Sequence, residues 1–245
     1  MENYRVEYLG SGCRVAVSDE HGFGTDAVIL AYFASPNKKD RVCDMGTGCG
    51  IIPMLLVRNG CGKSITGIEI QKNGYEQALE SVRLSGAEDK VSIVNGDIKN
   101  IKELFPHGSF DTVIMNPPYK AASGGIESSG ESARIARHEV ACTVDDVTAA
   151  AAHLLNFGGR LCLCNRPERL ADTIVSMRKA GIEPKRLRFV SKFAETEPWL
   201  FLIEGKKGAK PFMRVEAPFA VYKSKGIFSD EMMSVYGEYK ENCNG

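Results

Sequence analysis

From Asp40 onward the chain alternates short apolar runs with amphipathic segments, and this alternation constrains the fold more than any other feature. Runs at 41–45, 64–70, 91–95, 110–115 and 160–165 read as strands, and segments at 51–59, 72–86, 143–155 and 168–180 read as helices. Further strands are expected near 186–191 and 199–204. Parallel neighbours need crossover connections, so the pattern predicts a mostly parallel sheet with helices on both faces. In such a sheet a ligand sits beyond the carboxyl ends of the central strands. Ahead of this region, alternation at 4–8 and 14–17 around Gly10-Ser11-Gly12 predicts a β-hairpin. Thr25 is placed to cap a helix over 26–34. After 212, a strand-like piece at 215–222 and a helix-like piece at 229–240 predict an ordered edge. The length of 245 residues suits one α/β domain: 1–36 as hairpin and helix, 37–206 as core, 207–245 as C-terminal edge.

Composition excludes several classes of function. The 31 basic and 31 acidic residues cancel, so any polyanion must be met by a local patch. The amino terminus lacks a basic segment followed by an apolar run, and no stretch approaches the roughly 18 apolar residues of a membrane span. A soluble, cytoplasmic protein without membrane contact is expected. Eight cysteines contain no C-x-x-C pair, and Cys43, Cys162 and Cys164 fall in strand-like runs, which predicts reduced, mostly buried thiols. His21, His107, His138 and His153 show no metal-ligand spacing, and no metal is implied.

Between the strand at 41–45 and the next helix stand Asp44-Met45-Gly46-Thr47-Gly48-Cys49-Gly50. Glycines here let the backbone turn tightly and let a ligand approach the main chain. A dinucleotide fingerprint has its third glycine three residues after its second, whereas position 51 is Ile and the spacing is G-x-G-x-G. Asp44 beside the turn disfavours a pyrophosphate and suits the cationic end of S-adenosylmethionine (SAM). Glu69, 23 positions after Gly46, ends the next strand before Ile70 and can accept from both ribose hydroxyls. Asp97 can accept from an adenine amino group, while Ile98 presents its backbone N–H to the ring. Each carboxylate alone is an ordinary strand-end acid; their order behind the glycine turn points to SAM.

The strand at 110–115 runs into Asn116-Pro117-Pro118-Tyr119. Two prolines at a strand end can be a plain rigid turn, since each fixes φ and restricts the residue before it. Beside a SAM site the residue types gain a chemical reason. An exocyclic amine on a base or amide has a delocalised lone pair and is a poor nucleophile. The Asn116 side-chain oxygen and the Pro117 carbonyl can accept its two N–H groups and turn the lone pair toward a methyl donor, with orientation and prearranged acceptors supplying most of the acceleration. Tyr119 offers a face for stacking on an extruded base. The segment 121–130, rich in Gly and Ser, can order over a substrate or serve as a plain connector.

With these motifs the chain resembles the class I SAM-dependent methyltransferases that carry Asn-Pro-Pro-Tyr. More narrowly it is similar to the bacterial tRNA1(Val) adenine-N6 methyltransferases, through Phe23-Gly24-Thr25-Asp26-Ala27-Val28-Ile29-Leu30, the glycine turn, and Ala136-Arg137-His138-Glu139. The resemblance implies a Rossmann-like class I fold: a mostly parallel seven-stranded sheet with helices on both faces and an N-terminal hairpin. It implies SAM as cofactor and tRNA as partner, the adenosine next to the anticodon as target, a monomer, and Thr25 and Asp26 as cofactor contacts; for Thr25 a helix cap remains the alternative. Asn-Pro-Pro-Tyr is shared with protein glutamine-N5, DNA adenine and some ribosomal RNA guanine-N2 enzymes, so it specifies the amine and not its carrier. Glutamine-N5 methylation, methylation of another RNA base amine, and a noncatalytic RNA-binding module that retains SAM are the alternatives. Residues 160–225 hold fifteen Lys or Arg against seven Asp or Glu, with clusters at Lys185-Arg186-Leu187-Arg188, Lys206-Lys207 and Lys210. Such charges are either a solvated surface or a set of contacts to tRNA phosphates.

Overall fold

The computed structural model describes residues 4–117 and 142–240. Its frame is a sheet with strand order β5-β4-β3-β6-β7-β9-β8, formed by β3 (Arg41–Met45), β4 (Ser64–Glu69), β5 (Val91–Asn95), β6 (Phe110–Met115), β7 (Leu155–Asn165), β8 (Ile182–Ser191) and β9 (Pro198–Lys207). The strands from β5 to β7 pair in parallel, and β9 runs antiparallel to both β7 and β8. These are the seven expected strands. Two two-residue strands, β10 (Arg214–Val215) and β11 (Phe219–Ala220), extend the edge by pairing with β8. The hairpin of β1 (Arg5–Gly10) and β2 (Cys13–Val17) forms its own two-stranded sheet.

Strand residues alternate between two cores, as a pleated strand covered on both faces requires. Val42, Ile114, Cys162, Cys164, Leu200 and Leu202 pack with α1 (Thr25–Ala34), α2 (Ile51–Arg58) and α3 (Lys72–Leu84). Cys43, Val113, Met115, Leu161, Leu163, Phe201 and Ile203 face the other way, toward α4 (Ile101–Leu104), α5 (Val144–Leu154) and α6 (Leu170–Lys179). Helix α1 is apolar on nearly every side because it is buried on nearly every side. Helix α5 starts at a capping box in which Thr143 and Asp146 bond each other's backbone N–H.

The structure departs from the sequence reading in two places. The residue preceding α1 is Gly24, in extended backbone; Thr25 is the first helical residue and makes no capping bond. The tail is more broken than one strand and one helix: β10, β11, a hairpin of β12 (Tyr222–Ser224) and β13 (Ile227–Phe228), helix α7 (Asp230–Tyr236) and a short 3-10 turn. This tail returns to the start of the chain. The Arg58 guanidinium donates to the carbonyls of Leu9, Val235 and Tyr236, and the Tyr239 hydroxyl donates to Glu7 at 2.7 Å.

Candidate active site

After β3 the chain proceeds outward through β4 and β5, then returns to place β6 on the other side of β3. Strand order reverses between β3 and β6, which opens a crevice at their carboxyl ends. Met45 and Met115 are register partners, so Gly46 and Asn116 leave the sheet side by side. Gly46 and Asn116, seventy residues apart in the chain, therefore meet at one point.

The turn needs its glycines. Gly46, Gly48 and Gly50 have φ of +70°, +55° and +81°, the left-handed region. The N–H groups of Gly46 and Thr47 both donate to the Ile68 carbonyl, which holds the turn against β4. A Cβ on Gly50 would lie 3.4 Å from the Ala78 backbone in α3, whereas one on Gly48 would meet nothing within 4 Å. Gly50 is glycine for packing as well as for its backbone, and Gly48 faces open space.

Three carboxylates stand at or just beyond the carboxyl ends of β3, β4 and β5. Glu69 is buried, with Oε2 accepting from Gly48 N and Oε1 from Gln71 N, each at 2.9 Å. It ties the glycine turn to the end of β4 and keeps lone pairs for another donor. Asp97 caps a 3-10 turn by accepting from Lys99 N at 2.9 Å, and Ile98 beside it is buried. Ile70, by contrast, is 52% exposed, an aliphatic face at the rim of the crevice. Asp44 is 1% exposed, and neither of its oxygens has a hydrogen-bond partner among the described residues. Burial pushes its carboxyl up to about 7; the Thr47 hydroxyl pulls the value back and Glu69 adds to the rise. Thr47 nevertheless stands outside good bonding geometry, and its own hydroxyl is buried without a partner.

Asn116 is gripped at both ends of its amide. Its Nδ2 donates to Asp26 Oδ2 at 3.1 Å, and the Cys164 thiol donates to its Oδ1 at 3.2 Å. Asp26 comes from the first turn of α1 and Cys164 from β7, level with Asn116 because Met115 and Leu163 are paired. Thr25 turns toward the tail, with Oγ1 3.4 Å from the Tyr236 hydroxyl. Pro117 is half-buried. Pro118, Tyr119, the segment 121–130, Arg137 and His138 lie outside the described residues. Cys164 went unnoticed as a site residue because its place beside Asn116 depends on register between strands, which a single sequence does not display.

The basic residues of 160–225 are distributed differently from what their count suggests. Arg160 and Arg186 share Glu204, Arg169 pairs Asp172, Arg178 pairs Glu183, Arg188 pairs Glu231, and Arg214 pairs Glu216. Lys206 sits opposite Arg160 and Glu183, near the amino ends of β7 and β8, and Lys185 reaches the carbonyls of Lys210 and Pro211. That group occupies the end of the sheet away from Asn116. Exposed Lys192, Lys223 and Lys225 lie near the carboxyl end of β8, where Tyr222 N donates to the Lys192 carbonyl. Among the described residues no cluster of His, Cys, Asp and Glu could hold a metal ion, and no helix is long and apolar enough to cross a membrane.

The donor set fits a nucleoside that carries a positive charge. Asp44 and Thr47 provide buried oxygens that lack partners, Glu69 and Asp97 provide acceptors at successive strand ends, and Ile70 provides an apolar face. A family model described as the TRM5/TYW2 methyltransferase domain matches residues 28–134. Among solved structures, a predicted O-methyltransferase from Agrobacterium tumefaciens aligns with a TM-score of 0.70 at 18% identity, covering 88% of this chain and 97% of that one. A SAM-dependent methyltransferase from Aquifex aeolicus aligns at 0.53 and 15% identity, covering 74% and 89%. The fold is the Rossmann-like one that these methyltransferases share. Within that fold the chain resembles tRNA1(Val) (adenine(37)-N6)-methyltransferases. The protein of that name from Porphyromonas gingivalis is 27% identical over 237 residues, 93% of this chain and 89% of the relative. Its counterpart from Phocaeicola vulgatus is 24% identical over 219 residues, 89% and 90% of the two chains.

Proposed function

We propose that this chain transfers a methyl group from SAM to the exocyclic N6 amine of an adenine in tRNA, the adenosine at position 37 of tRNA1(Val). The observation that carries the reading is the Asn116 side-chain oxygen, held at the switch point of the sheet level with the glycine turn. The relatives that match nearly the whole chain act, by their names, on that adenine. A cytoplasmic location goes with such a substrate.

In this reading the glycine turn leaves room for the cofactor against the main chain, at Gly46, Thr47, Gly48 and Gly50. Glu69 accepts from the ribose hydroxyls, Asp97 and the Ile98 N–H address the adenine edge, and Ile70 covers its face. Asp44 faces the cationic end. Bound, SAM supplies an electrophilic methyl on a positively charged sulfur. The Asn116 oxygen and the Pro117 carbonyl accept the two N–H groups of the target amine and favour its pyramidal form, with the lone pair directed at the donor. No side chain needs to remove a proton beforehand, because the amine is neutral; the extra proton leaves after transfer. Prearranged acceptors of this kind are worth about 10²–10³ in rate each.

The test is incubation with methyl-labelled SAM and unmodified tRNA, followed by digestion to nucleosides. Label should appear in N6-methyladenosine. Label in a protein glutamine instead, or none in either, would overturn the reading.

A further inference from the structure

We propose that Asp26, seated by Gly24, is a positioning residue that sets the orientation of the Asn116 amide, and that Cys164 holds the opposite end. The inference rests on the function proposed above for Asn116 and adds what makes that residue competent. An asparagine amide has two faces, an acceptor oxygen and a donor NH2, which occupy nearly the same volume. Only one orientation serves an incoming amine: with the NH2 turned toward the substrate, donor would oppose donor. Something must therefore distinguish the two ends.

The side chains around Asn116 do so. Asp26 Oδ2 lies 3.1 Å from Nδ2, and an ionised carboxylate can only accept. The Cys164 thiol lies 3.2 Å from Oδ1 and donates to it. Reversing the amide would set the oxygen against a carboxylate, losing that bond, and would leave the NH2 with only the weakly accepting sulfur of Cys164. An amide oxygen carries two lone pairs, so a bond from the thiol does not by itself use up its capacity to accept. The carboxylate polarises the amide in the same sense, leaving more negative charge on Oδ1.

Gly24 explains how Asp26 reaches inward. A Cβ on Gly24 would stand 2.5 Å from Asp26 Oδ1, although its φ of −110° is open to any residue. Glycine there leaves space for the carboxylate to fold back over the start of α1, and its role at this position is steric. The family resemblance implies that Asp26 contacts the cofactor, and the two roles predict different losses.

The experiment compares Asp26→Asn, Gly24→Ala, Cys164→Ala and Cys164→Ser with the parent enzyme, measuring SAM affinity by calorimetry and single-turnover methylation of tRNA. Asp26→Asn keeps the shape but can present either end to Asn116. It should lower the methyl-transfer rate about 10- to 100-fold, the range seen when a group that orients another is removed, with SAM affinity changed less than about threefold. Gly24→Ala should repeat that split more mildly. Cys164→Ala should slow transfer a few-fold, and Cys164→Ser, which restores a donor, should recover most of it. A tenfold or greater loss of SAM affinity in Asp26→Asn would overturn the proposal in favour of direct cofactor contact, and so would an unchanged transfer rate. If the parent enzyme methylates no tRNA, the functional reading fails by itself. The side-chain amide resonance of Asn116 then reports on the clamp without activity: it should move in Asp26→Asn, and an unmoved resonance would sink the proposal.

Discussion

In the function proposed above, the buried Asp44 makes the cofactor site depend on pH. Its ordinary value is 3.8, and burial in the folded chain raises it to about 7. Below 3.8 the carboxyl is protonated in folded and unfolded chains alike. Between 3.8 and about 7 the unfolded chain releases the proton and the folded chain keeps it, so this group's contribution to the stability of the ligand-free protein falls as pH rises through that window. Each pH unit there is worth up to about 1.4 kcal/mol. A cationic ligand group reverses the preference, since it favours the ionised carboxyl. SAM binding at pH 6 should therefore release protons, and binding at pH 8 should release almost none. Calorimetry in two buffers of different ionisation enthalpy measures this, and Asp44→Asn should abolish the difference. Equal proton release at both pH values would remove Asp44 from contact with the ligand's charge.

At the scale of elements, the glycine turn separates two reasons for being glycine. Alanine at Gly48 meets no neighbour and carries a left-handed penalty of about 1–2 kcal/mol. Its methyl would fill the space left for a ligand, so Gly48→Ala should lose SAM affinity far more than stability. Gly50→Ala adds the same penalty and presses on the Ala78 backbone, so stability should suffer first. Thermal melts with and without SAM distinguish them: the ligand-induced rise in Tm should disappear in the first variant, and the ligand-free Tm should drop further in the second. These elements were legible in the sequence because period and punctuation agree from 41 onward: apolar runs, then glycine, then helical spacing. The Thr25 cap was not, because Gly24 is needed to seat Asp26 and takes the capping position without any side-chain bond. The Asp26–Asn116 contact was not legible either. It joins residues 90 apart that meet only once α1 has docked on the sheet.

For the whole molecule, charge counted along the sequence misleads, because a sheet sorts it by strand direction. Lys185, Lys206 and Lys210 belong to one end of the β8–β9 pair, Lys192, Lys223 and Lys225 to the other, and six arginines of the same stretch pair with its own Asp172, Glu183, Glu204 and Glu216 and with Glu231 of α7. With tRNA presented to Asn116, changing the second lysine group to glutamine should weaken binding and lower the slope of log affinity against log salt by about one per lost phosphate contact. The same change in the first group should leave the slope unaltered. Equal losses from both groups would point to a footprint spanning the sheet. The tail that carries Lys223 and Lys225 also reaches back through α7, where Tyr236 meets Thr25 and Arg58 binds the last turn to the hairpin carbonyl of Leu9. During synthesis, then, the glycine turn and Asn116 leave the ribosome more than a hundred residues before the helix that braces α1. A nascent chain holds Asp26 and its asparagine early, and the helix that reaches Thr25 beside that aspartate follows only after more than a hundred further residues.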